Sequence, residues 1–471
     1  MWRLFYNILL LAVSPLIVAV LLAKRRCRRG LPQRLGLKSR LSGLSGLSGP
    51  SCRTDQPDRP NEPDRPDRPP QPVIWIHAVS LGEVVAVTPL VNELHRRHPG
   101  YRLVVSTVTE TGREAVEQRL AGVADHCYAP LDFSWVVSRF IARLQPCLYL
   151  FVETELWPNL LWHLHRCDVP TVLVNGRLST RSYTRQQWAP VRSFYRTMLQ
   201  TLSLCLMQSD RDVDRIVALG AEASRVRRTG NIKFDQPTPA IAEGGATRMR
   251  LGLQDTEQLL VAGSTHSGEE EILVECYRAL VARCPSAVLL LAPRHIERAE
   301  SVEAMIRAHG MTVQRRSTIG QAGVVRAIGP RVVVLDSRGE LAAIYREAVV
   351  AFVGGTLVPI GGHNLLEPAQ WAKPVLFGRY TDHCAEIADL LIQAGGGRRV
   401  SQAEDLTQQI TALFSDRDAR ERMGRSARQV VEQNQGALQR TVEAIDRLLT
   451  PQQGASGPPL ADRSRPLMAG R

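Results

Sequence analysis

The chain has 471 residues, of which 44% are hydrophobic and 22% charged, so it is globular and too long for a single hydrophobic core. Its 59 Lys and Arg residues outnumber its 46 Asp and Glu residues, and the net charge of +13 favours an anionic partner such as a phosphorylated substrate, an anionic lipid or nucleic acid. Nucleic acid is disfavoured, because aromatic residues make up only 5% of the chain and no helix-turn-helix, RNA-binding or zinc-finger motif is present.

Residues 1–30 are predicted to form a membrane anchor with a basic flank. Residues 2–23 are apolar apart from Arg3, Asn7 and Pro15, and about 20 apolar residues cross the core of a bilayer. Basic residues follow at positions 24–29, whereas a cleaved signal peptide, the alternative, carries its charge before a shorter apolar core. Because basic residues that flank a membrane helix stay on the cytoplasmic side of the membrane, the rest of the chain is expected on that side. The pattern leaves open whether the helix spans the membrane or lies in it.

Two stretches have no pattern that could build a core. Residues 31–72 are assigned to a low-complexity linker, because they contain Leu-Ser-Gly and Asp-Arg-Pro repeats, and we expect them to tether the anchor to the domains that follow. Residues 451–471 lack apolar periodicity and are expected to form a disordered tail.

Strand-like and helix-like patterns alternate from Val73 onward, which predicts α/β domains built on parallel sheets. The first domain, residues 73–235, has predicted strands at 73–79, 101–108, 147–152 and 171–174. The second domain, residues 236–450, has predicted strands at 258–262, 287–292, 331–335, 349–353 and 374–376. Two Rossmann-like domains facing a cleft would bind ligands at the carboxyl ends of these strands.

Acidic residues follow two predicted strands of the first domain. One strand leads into Ser80, Gly82 and Glu83, and another leads into Glu153 and Glu155. Spacing alone favours a capping box for Ser80 and Glu83, in which the serine caps a helix and the glutamate folds back onto it. The alternative is catalytic, since a carboxylate at this edge of a sheet can act as a general base.

A basic stretch follows the next predicted strand. It contains Arg177, Arg181 and Arg185. Such a run is most often a solvated surface. Next to a membrane anchor, it is also suited to the phosphates of a lipid substrate.

The strongest nucleotide-binding candidate is the glycine-rich segment 353–367, VGGTLVPIGGHNLLE. Glycine pairs between a buried strand and a helix let backbone N–H groups approach a phosphate, and Glu367 is placed to accept hydrogen bonds from a ribose. The alternative is a mobile loop followed by an ordinary helix cap. The candidate nucleotide-binding residues in this segment are Gly361, Gly362, His363, Asn364 and Glu367.

Three further strand ends of the second domain carry groups suited to a phosphate or a ribose. Ser264, Thr265 and His266 open a helix, Arg294 closes the next strand, and residues 336–341 open another helix. Each signal is weak alone, but together with the glycine-rich segment they favour a nucleotide.

No metal site and no cofactor are expected. The nine cysteines form no CxxC pair, and no histidine cluster has the spacing of metal ligands. The acidic pairs at 210–212 and 416–418 match a DxD pattern, but both lie in charged helical stretches that surface exposure explains.

Several motifs, in this order, resemble the family of 3-deoxy-D-manno-octulosonic acid (Kdo) transferases of lipopolysaccharide synthesis. They are HAVSLGE, ETELWPNLL, NGRLSTRS, GNIKFD, STHSGEEE, APRH and FVGGTLVPIGGHNLLE. The resemblance covers residues 2–449 and implies a GT-B fold, a location at the cytoplasmic face of the inner membrane, and inverting transfer of Kdo from CMP-Kdo to lipid IVA. The repeats within residues 41–72 depart from the family pattern and lengthen the tether.

The resemblance also implies roles for individual residues. Glu83 is expected to be the catalytic base, which overrides the capping preference. The expected CMP contacts are Pro293, Arg294, Arg338, Gly339, Glu340, Asn364, Leu365, Leu366 and Glu367. Two alternatives are another GT-B enzyme, such as a UDP-sugar transferase or epimerase, and a non-catalytic membrane-tethered binding module.

Overall fold

The computed structural model describes residues 1–23, 30–37, 71–236, 246–320 and 329–449. The chain divides into two compact units. The first unit contains Met1–Gln236 and Gln435–Arg471, and the second contains Pro237–Asn434. Most of the predicted linker and the predicted tail lie outside the described residues.

The first unit is built on a seven-stranded parallel sheet with strand order β3-β2-β1-β4-β5-β6-β7. The central strands are continuous apolar runs because helices cover both faces of the sheet. The strands are β1 (Val73–His77), β2 (Arg102–Thr107), β3 (Asp125–Tyr128), β4 (Pro146–Val152), β5 (Thr171–Gly176), β6 (Leu204–Met207) and β7 (Val226–Arg228).

Helices alternate with these strands, as the sequence pattern predicts. A 3-10 turn at Ile232–Asp235 ends this part of the unit. The helices are α1 (Trp2–Ala23), α2 (Leu31–Arg34), α3 (Leu81–Arg97), α4 (Glu110–Arg119), α5 (Ser134–Leu144), α6 (Pro158–Arg166), α7 (Thr180–Gln186), α8 (Ala189–Leu199) and α9 (Asp210–Ala218).

The second unit repeats this plan with strand order β10-β11-β9-β8-β12-β13-β14, all parallel. Its strands are β8 (Gln258–Thr265), β9 (Ala287–Pro293), β10 (Val313–Arg315), β11 (Val332–Val334), β12 (Ala348–Val353), β13 (Val375–Phe377) and β14 (Gly397–Arg399). Its helices are α10 (Ala246–Arg250), α11 (Glu270–Val281), α12 (Ala299–Ala308), α13 (Leu341–Ile344), α14 (Leu366–Gln370), α15 (Ala385–Gln393), α16 (Ala403–Ser415) and α17 (Arg417–Gln433).

The last described helix, α18 (Ala437–Leu449), corrects the predicted domain boundary. The second domain was expected to run to residue 450, but α18 packs against α3 in the core of the first unit. Asp235 fixes the start of α18 by accepting hydrogen bonds from the N–H groups of Gly436 and Leu438, at 2.6 and 2.7 Å. An amphipathic pattern predicts a helix but does not indicate which sheet its apolar face covers.

Helix α1 is bound to the first unit along one face. Tyr6 donates a hydrogen bond to Asp132 at 2.9 Å, and the side-chain amides of Asn7 and Asn159 bond each other at 3.0 Å. Among the described residues no helix is both long and apolar enough to cross a bilayer, so the predicted anchor is not confirmed. Within residues 2–15 of α1, the exposed large apolar residues are Leu4, Phe5, Ile8, Leu9, Leu11 and Val13.

The start of the predicted linker is folded, which is a second correction. Arg34 in α2 is buried, donates to the carbonyl of Val108 and lies over the ring of Tyr128 at 4.5 Å. Residues 30–37 therefore pack against the first unit. Repetitive sequence begins only after them.

A buried ion pair supports the sheet of the second unit. Arg331 is fully buried and donates to Glu257 at 2.9 Å and to the carbonyl of Gly252 at 2.8 Å. Arg331→Met removes the buried cation that compensates the charge of the Glu257 carboxylate, so we expect the free energy of unfolding to fall by about 3–5 kcal/mol. Denaturant titration followed by circular dichroism measures this change.

The matched control for this prediction is Arg307→Met, which breaks an exposed ion pair with Glu303. Exposed pairs contribute about 0–1 kcal/mol, so this variant should unfold almost as the parent chain does. If the two variants had the same free energy of unfolding, the buried pair would contribute no more to stability than the exposed pair.

Candidate functional site

The first unit carries acidic residues at its topological switch point. Strand order reverses between the adjacent strands β1 and β4, and ligands of open α/β sheets bind at the carboxyl ends of strands on either side of such a point. Glu83 lies in the first turn of α3, after β1, and Glu153 directly follows β4. The structure therefore brings these two predicted strand ends together.

Glu83 is held in place by the turn that precedes it. The backbone N–H of Val79 donates to one carboxylate oxygen at 2.7 Å, and the hydroxyl of Ser80 donates to the other at 3.2 Å. Ser80 occupies the N-cap position of α3, but its side chain accepts no capping hydrogen bond from the helix. The predicted capping box is therefore not formed, because Glu83 bonds the N–H of Val79, one residue before the N-cap, and the serine hydroxyl contacts the carboxylate.

The environment of Glu83 favours its protonated form. Burial raises its pKa from 4.5 to about 7, and the negative charges of Glu153 and Glu155 raise it as well, although the hydrogen bond from Val79 opposes this. A carboxylate with a pKa near neutrality can both accept and release a proton under physiological conditions. Such a shift, at the ligand-binding edge of a sheet, is typical of functional residues.

Glu153 has a strained backbone and a basic partner. Its φ of 59° lies in the left-handed region, which non-glycine residues adopt rarely and mostly where surrounding structure enforces it. Lys233, from the 3-10 turn Ile232–Asp235, pairs with its carboxylate at 3.1 Å. Lys233 follows β7, which was not among the predicted strands, so its role was not predicted from strand-end positions.

The remaining candidates of this unit lie along the same edge. Gly82 and Glu155 are exposed. The carbonyl of Arg177 accepts a hydrogen bond from Thr154 at 2.6 Å, which ties the loop after β5 to the loop after β4. Asp210 is exposed, as its assignment to surface charge predicted. That assignment is wrong for Asp212, which is buried and accepts a hydrogen bond from the N–H of Leu178 at 2.8 Å.

The second unit places its candidates at the equivalent point of its own sheet. Strand order reverses between β8 and β12, which are adjacent. Ser264, near the end of β8, has a φ of 58° and thus a left-handed backbone like that of Glu153. Thr265 is fully buried and donates its hydroxyl to Glu270 at 3.0 Å, so it does not offer the hydroxyl to a phosphate as the sequence suggested.

Backbone N–H groups at the first glycine pair of segment 353–367 already donate hydrogen bonds to a carboxylate of the protein itself. Glu269 is fully buried and accepts hydrogen bonds from the N–H groups of Gly355, Thr356 and Leu357, at 2.8, 3.0 and 2.9 Å. It also accepts from the N–H of His266 at 2.9 Å. These amides were expected to approach a phosphate, but Glu269 already uses them. In the sequence, Glu269 cannot be distinguished from ordinary acidic charge at a helix start.

The second glycine pair lets the loop approach its neighbours closely. Gly361 and Gly362 have φ values of 105° and 84°, and a Cβ on either would lie 2.9 Å from His383 or Cys384. Only glycine combines a positive φ with the absence of a Cβ that would collide with these neighbours. The pair therefore shapes the loop that carries His363.

The loop ends in a local cap for α14. The side chain of Asn364 accepts from the N–H of Leu366 at 3.1 Å and donates to Glu367 at 3.2 Å. Leu365 and Leu366 are fully buried, so only their backbone atoms are available to a ligand.

The histidines of the two strand ends meet. His266 and His363 approach Nε2 to Nε2 at 2.8 Å, and their rings are parallel to within 3°. This distance is too short for stacked rings and corresponds to a shared N–H···N hydrogen bond. Burial lowers the pKa of His363 to about 3, and nearby Arg294 lowers it further.

The other predicted nucleotide contacts lie after β9 and β11. Arg294 is exposed at the end of β9, next to the buried Pro293. Glu340 accepts from Arg316 at 2.8 Å, and Arg338 forms an exposed pair with Glu297 at 3.1 Å. Gly339 has a φ of 85°, as a tight turn requires.

Comparison with known proteins identifies relatives over nearly the whole chain. Residues 52–236 match a family model described as 3-deoxy-D-manno-octulosonic-acid transferase (kdotransferase). A 3-deoxy-D-manno-octulosonic acid transferase from Haemophilus influenzae is 35% identical over 94% of this chain and 98% of its own length. One from Bordetella pertussis is 34% identical over 79% of this chain and 86% of its own length.

Solved structures support the fold. The UDP-GlcNAc 2-epimerase from Neisseria meningitidis bound to UDP-GlcNAc matches 80% of this chain and all of its own, with a TM-score of 0.56. At 13% identity this likeness concerns the fold alone. The two parallel-sheet α/β units are consistent with the predicted GT-B fold.

Proposed function

The chain belongs to the family of 3-deoxy-D-manno-octulosonic acid transferases, and we propose on this premise that it transfers Kdo from CMP-Kdo to lipid IVA. That it is a Kdo glycosyltransferase of lipopolysaccharide synthesis follows from its relatives. The donor and the acceptor are the proposed part. The observation that carries the proposal is the position of Glu83 at the switch point of the first sheet, beside Glu153.

In the proposed reaction, Glu83 is the general base. Its carboxylate takes the proton from a sugar hydroxyl of the acceptor as the oxygen attacks the anomeric carbon of Kdo. The bond from that carbon to the phosphate oxygen breaks, and CMP leaves with the electron pair, which inverts the anomeric centre. The hydrogen bonds from Val79 and Ser80 orient the carboxylate without using all its lone pairs.

The donor is proposed to bind to the second unit. Arg294 supplies positive charge after β9, beside β8, and Arg338 supplies it after β11. Asn364 and Glu367 lie where the glycine-rich loop meets α14. Guanidinium groups pair well with phosphate oxygens. This set is proposed to neutralise the leaving phosphate without a cofactor.

The acceptor is a lipid, so the enzyme is proposed to work at the cytoplasmic face of the inner membrane. The exposed apolar residues Leu4, Phe5, Ile8, Leu9 and Leu11 of α1 support contact with lipid. Polar contacts to Asp132 and Asn159 hold the same helix on the first unit. We propose that α1 thereby brings the acceptor edge of the first sheet to the membrane surface.

The activity should depend on pH through Glu83. A base must be deprotonated, and the pKa of Glu83 is raised to about 7. With CMP-Kdo saturating, we therefore expect kcat/KM for lipid IVA to rise about tenfold per pH unit below pH 7 and to level off above it. Initial rates between pH 5 and 9 measure this profile, and a profile that is flat between pH 5 and 8 would contradict it.

Product analysis tests the proposal as a whole. Purified protein in detergent or membranes, incubated with CMP-Kdo and lipid IVA, should yield Kdo-lipid IVA detectable by mass spectrometry. UDP-sugars serve as competing donors. Turnover of a UDP-sugar in place of CMP-Kdo would favour the alternative GT-B enzyme, and nucleotide binding without any turnover would favour a binding module.

A further inference from the structure

The hydrogen-bonded pair His266–His363 has a chemistry that its separate residues lack. Its two nitrogens lie 2.8 Å apart, so a single proton occupies the space between them. The ring that donates this proton keeps an unprotonated Nδ1, whereas the other ring carries its proton on Nδ1. The neutral pair thus presents one donor and one acceptor at its outer edges.

One additional proton changes this arrangement. It would make both outer nitrogens donors and would give the pair a positive charge, while the shared hydrogen bond stays intact. The neutral pair would become a cation with one N–H donor on the outer edge of each ring. Its positive charge and either donor suit an anion such as a phosphate.

The surroundings keep the pair neutral when no anion is present. Burial lowers the pKa of His266, and His295, Arg298 and Arg294 lower it as well, while Glu270 opposes them. The pKa of His363 is lowered by burial, Arg294, His266, His383 and His295. Glu270 is itself paired with Arg298 at 2.8 Å, which weakens its effect. The groups that face the pair are therefore mostly basic and lower its pKa. An anion bound among them would raise that pKa.

The pair also lies where a ligand is expected. His266 follows β8 and His363 follows β12, the two strands that flank the switch point of the second sheet. Glu269 fixes both sides, because it accepts from the N–H of His266 and from three amides of the turn that leads to His363. The pair is thus held by backbone geometry.

We propose that His266 and His363 form a proton-accepting anion site, which takes up one proton from solvent when the phosphate of the sugar donor binds. This inference rests on the proposed function, because it assigns the phosphate of that donor to the pair. It implies that the donor site acquires part of its positive charge only when it is filled. Donor binding should then weaken as the pH rises.

Proton uptake on CMP binding tests this inference. Isothermal titration calorimetry at pH 7, in buffers of different ionisation enthalpy, reports the number of protons taken up. For the full-length protein with CMP we expect about one proton. Cytidine, which lacks the phosphate, should bind without uptake.

Three variants make the test specific. His363→Gln and His266→Gln should each bind CMP with no proton uptake and roughly tenfold more weakly, because the charge-assisted contact is lost. His309→Gln is the control, since its ring bonds the carbonyl of Met305 at the end of α12, outside the strand ends described above, and it should behave like the parent protein.

Each outcome has one meaning. CMP binding without proton uptake, uptake that persists in both site variants, or equal uptake with cytidine would overturn the inference alone. No binding of CMP at all would overturn the proposed donor and the inference together. The two failures are therefore distinguishable.

Discussion

Glu83→Gln should lower turnover by about 10²- to 10⁴-fold while leaving CMP affinity unchanged. The amide oxygen of glutamine can still accept the hydrogen bond that Val79 donates at 2.7 Å, so the turn keeps its shape. The amide cannot take a proton from the acceptor hydroxyl. Release of CMP from CMP-Kdo in the presence of lipid IVA measures the rate, and calorimetry measures CMP affinity.

The control variant for this prediction is Glu93→Gln on the same helix. Glu93 pairs with Arg96 at 2.6 Å on the outer face of α3, away from the switch point, so turnover should not change. A Glu83→Gln rate within twofold of the parent rate would remove Glu83 from the role of base.

A measurement of stability distinguishes a variant that has lost the catalytic base from one that has lost its folded structure. The folded pKa of Glu83, about 7, exceeds its ordinary value of 4.5, so the native state binds more protons between these values. The contribution of Glu83 to stability therefore falls as pH rises from 4.5 to 7 and stays low above it. Glutamine carries no charge to bury, and at pH 8 the variant should melt at or above the parent temperature.

Glu269→Ala should strongly destabilise the second unit. The substitution removes the acceptor of four N–H groups, the buried ones of Gly355 and Thr356 and the partly buried ones of His266 and Leu357. An unsatisfied buried donor costs about 1–3 kcal/mol, and we expect a total loss of about 3 kcal/mol or more. CMP affinity should fall as well, since the turn no longer holds the loop that carries His363. Thermal unfolding and calorimetry provide the two measurements.

Two further variants test whether the missing acceptor causes the loss of stability. Glu269→Gln keeps one acceptor oxygen but turns an amide NH₂ toward other donors, so its stability should fall between the parent and Glu269→Ala. Glu271→Gln is the matched control, because Glu271 accepts only an exposed hydrogen bond from Gly268 at 3.1 Å. If Glu269→Ala melted like the control, the turn would not depend on this carboxylate.

Sequence patterns predicted most of the strands that are continuous apolar runs, although the buried apolar strand β6 (LCLM) was missed. The predicted strands 73–79, 147–152 and 349–353 correspond to β1, β4 and β12. Strands β3 and β14 were missed because their sequences, DHCY and GRR, carry polar residues at the sheet edges and lack a strand-like period. Edge strands are exposed on one side, so their composition is under weaker constraint.

The candidate site was predictable in its positions but less so in its contacts. Strand-end reasoning pointed to Glu83, His266 and His363, and the structure places them at the two switch points. It could not show that Glu269 fills the first glycine turn or that Lys233 pairs with Glu153. Both contacts join residues far apart in the chain, and no local spacing reports such a contact.

The return of α18 to the first unit has a consequence for how the nascent chain folds. Val442, Ile445 and Leu449 complete a core that also contains Leu90, Val91 and Leu94 of α3. These residues of α3 leave the ribosome more than 300 positions before their partners. Until synthesis ends, the first unit therefore exposes an uncovered apolar strip, whereas the second unit already has all its strands, and chaperone binding during translation should be directed to that strip.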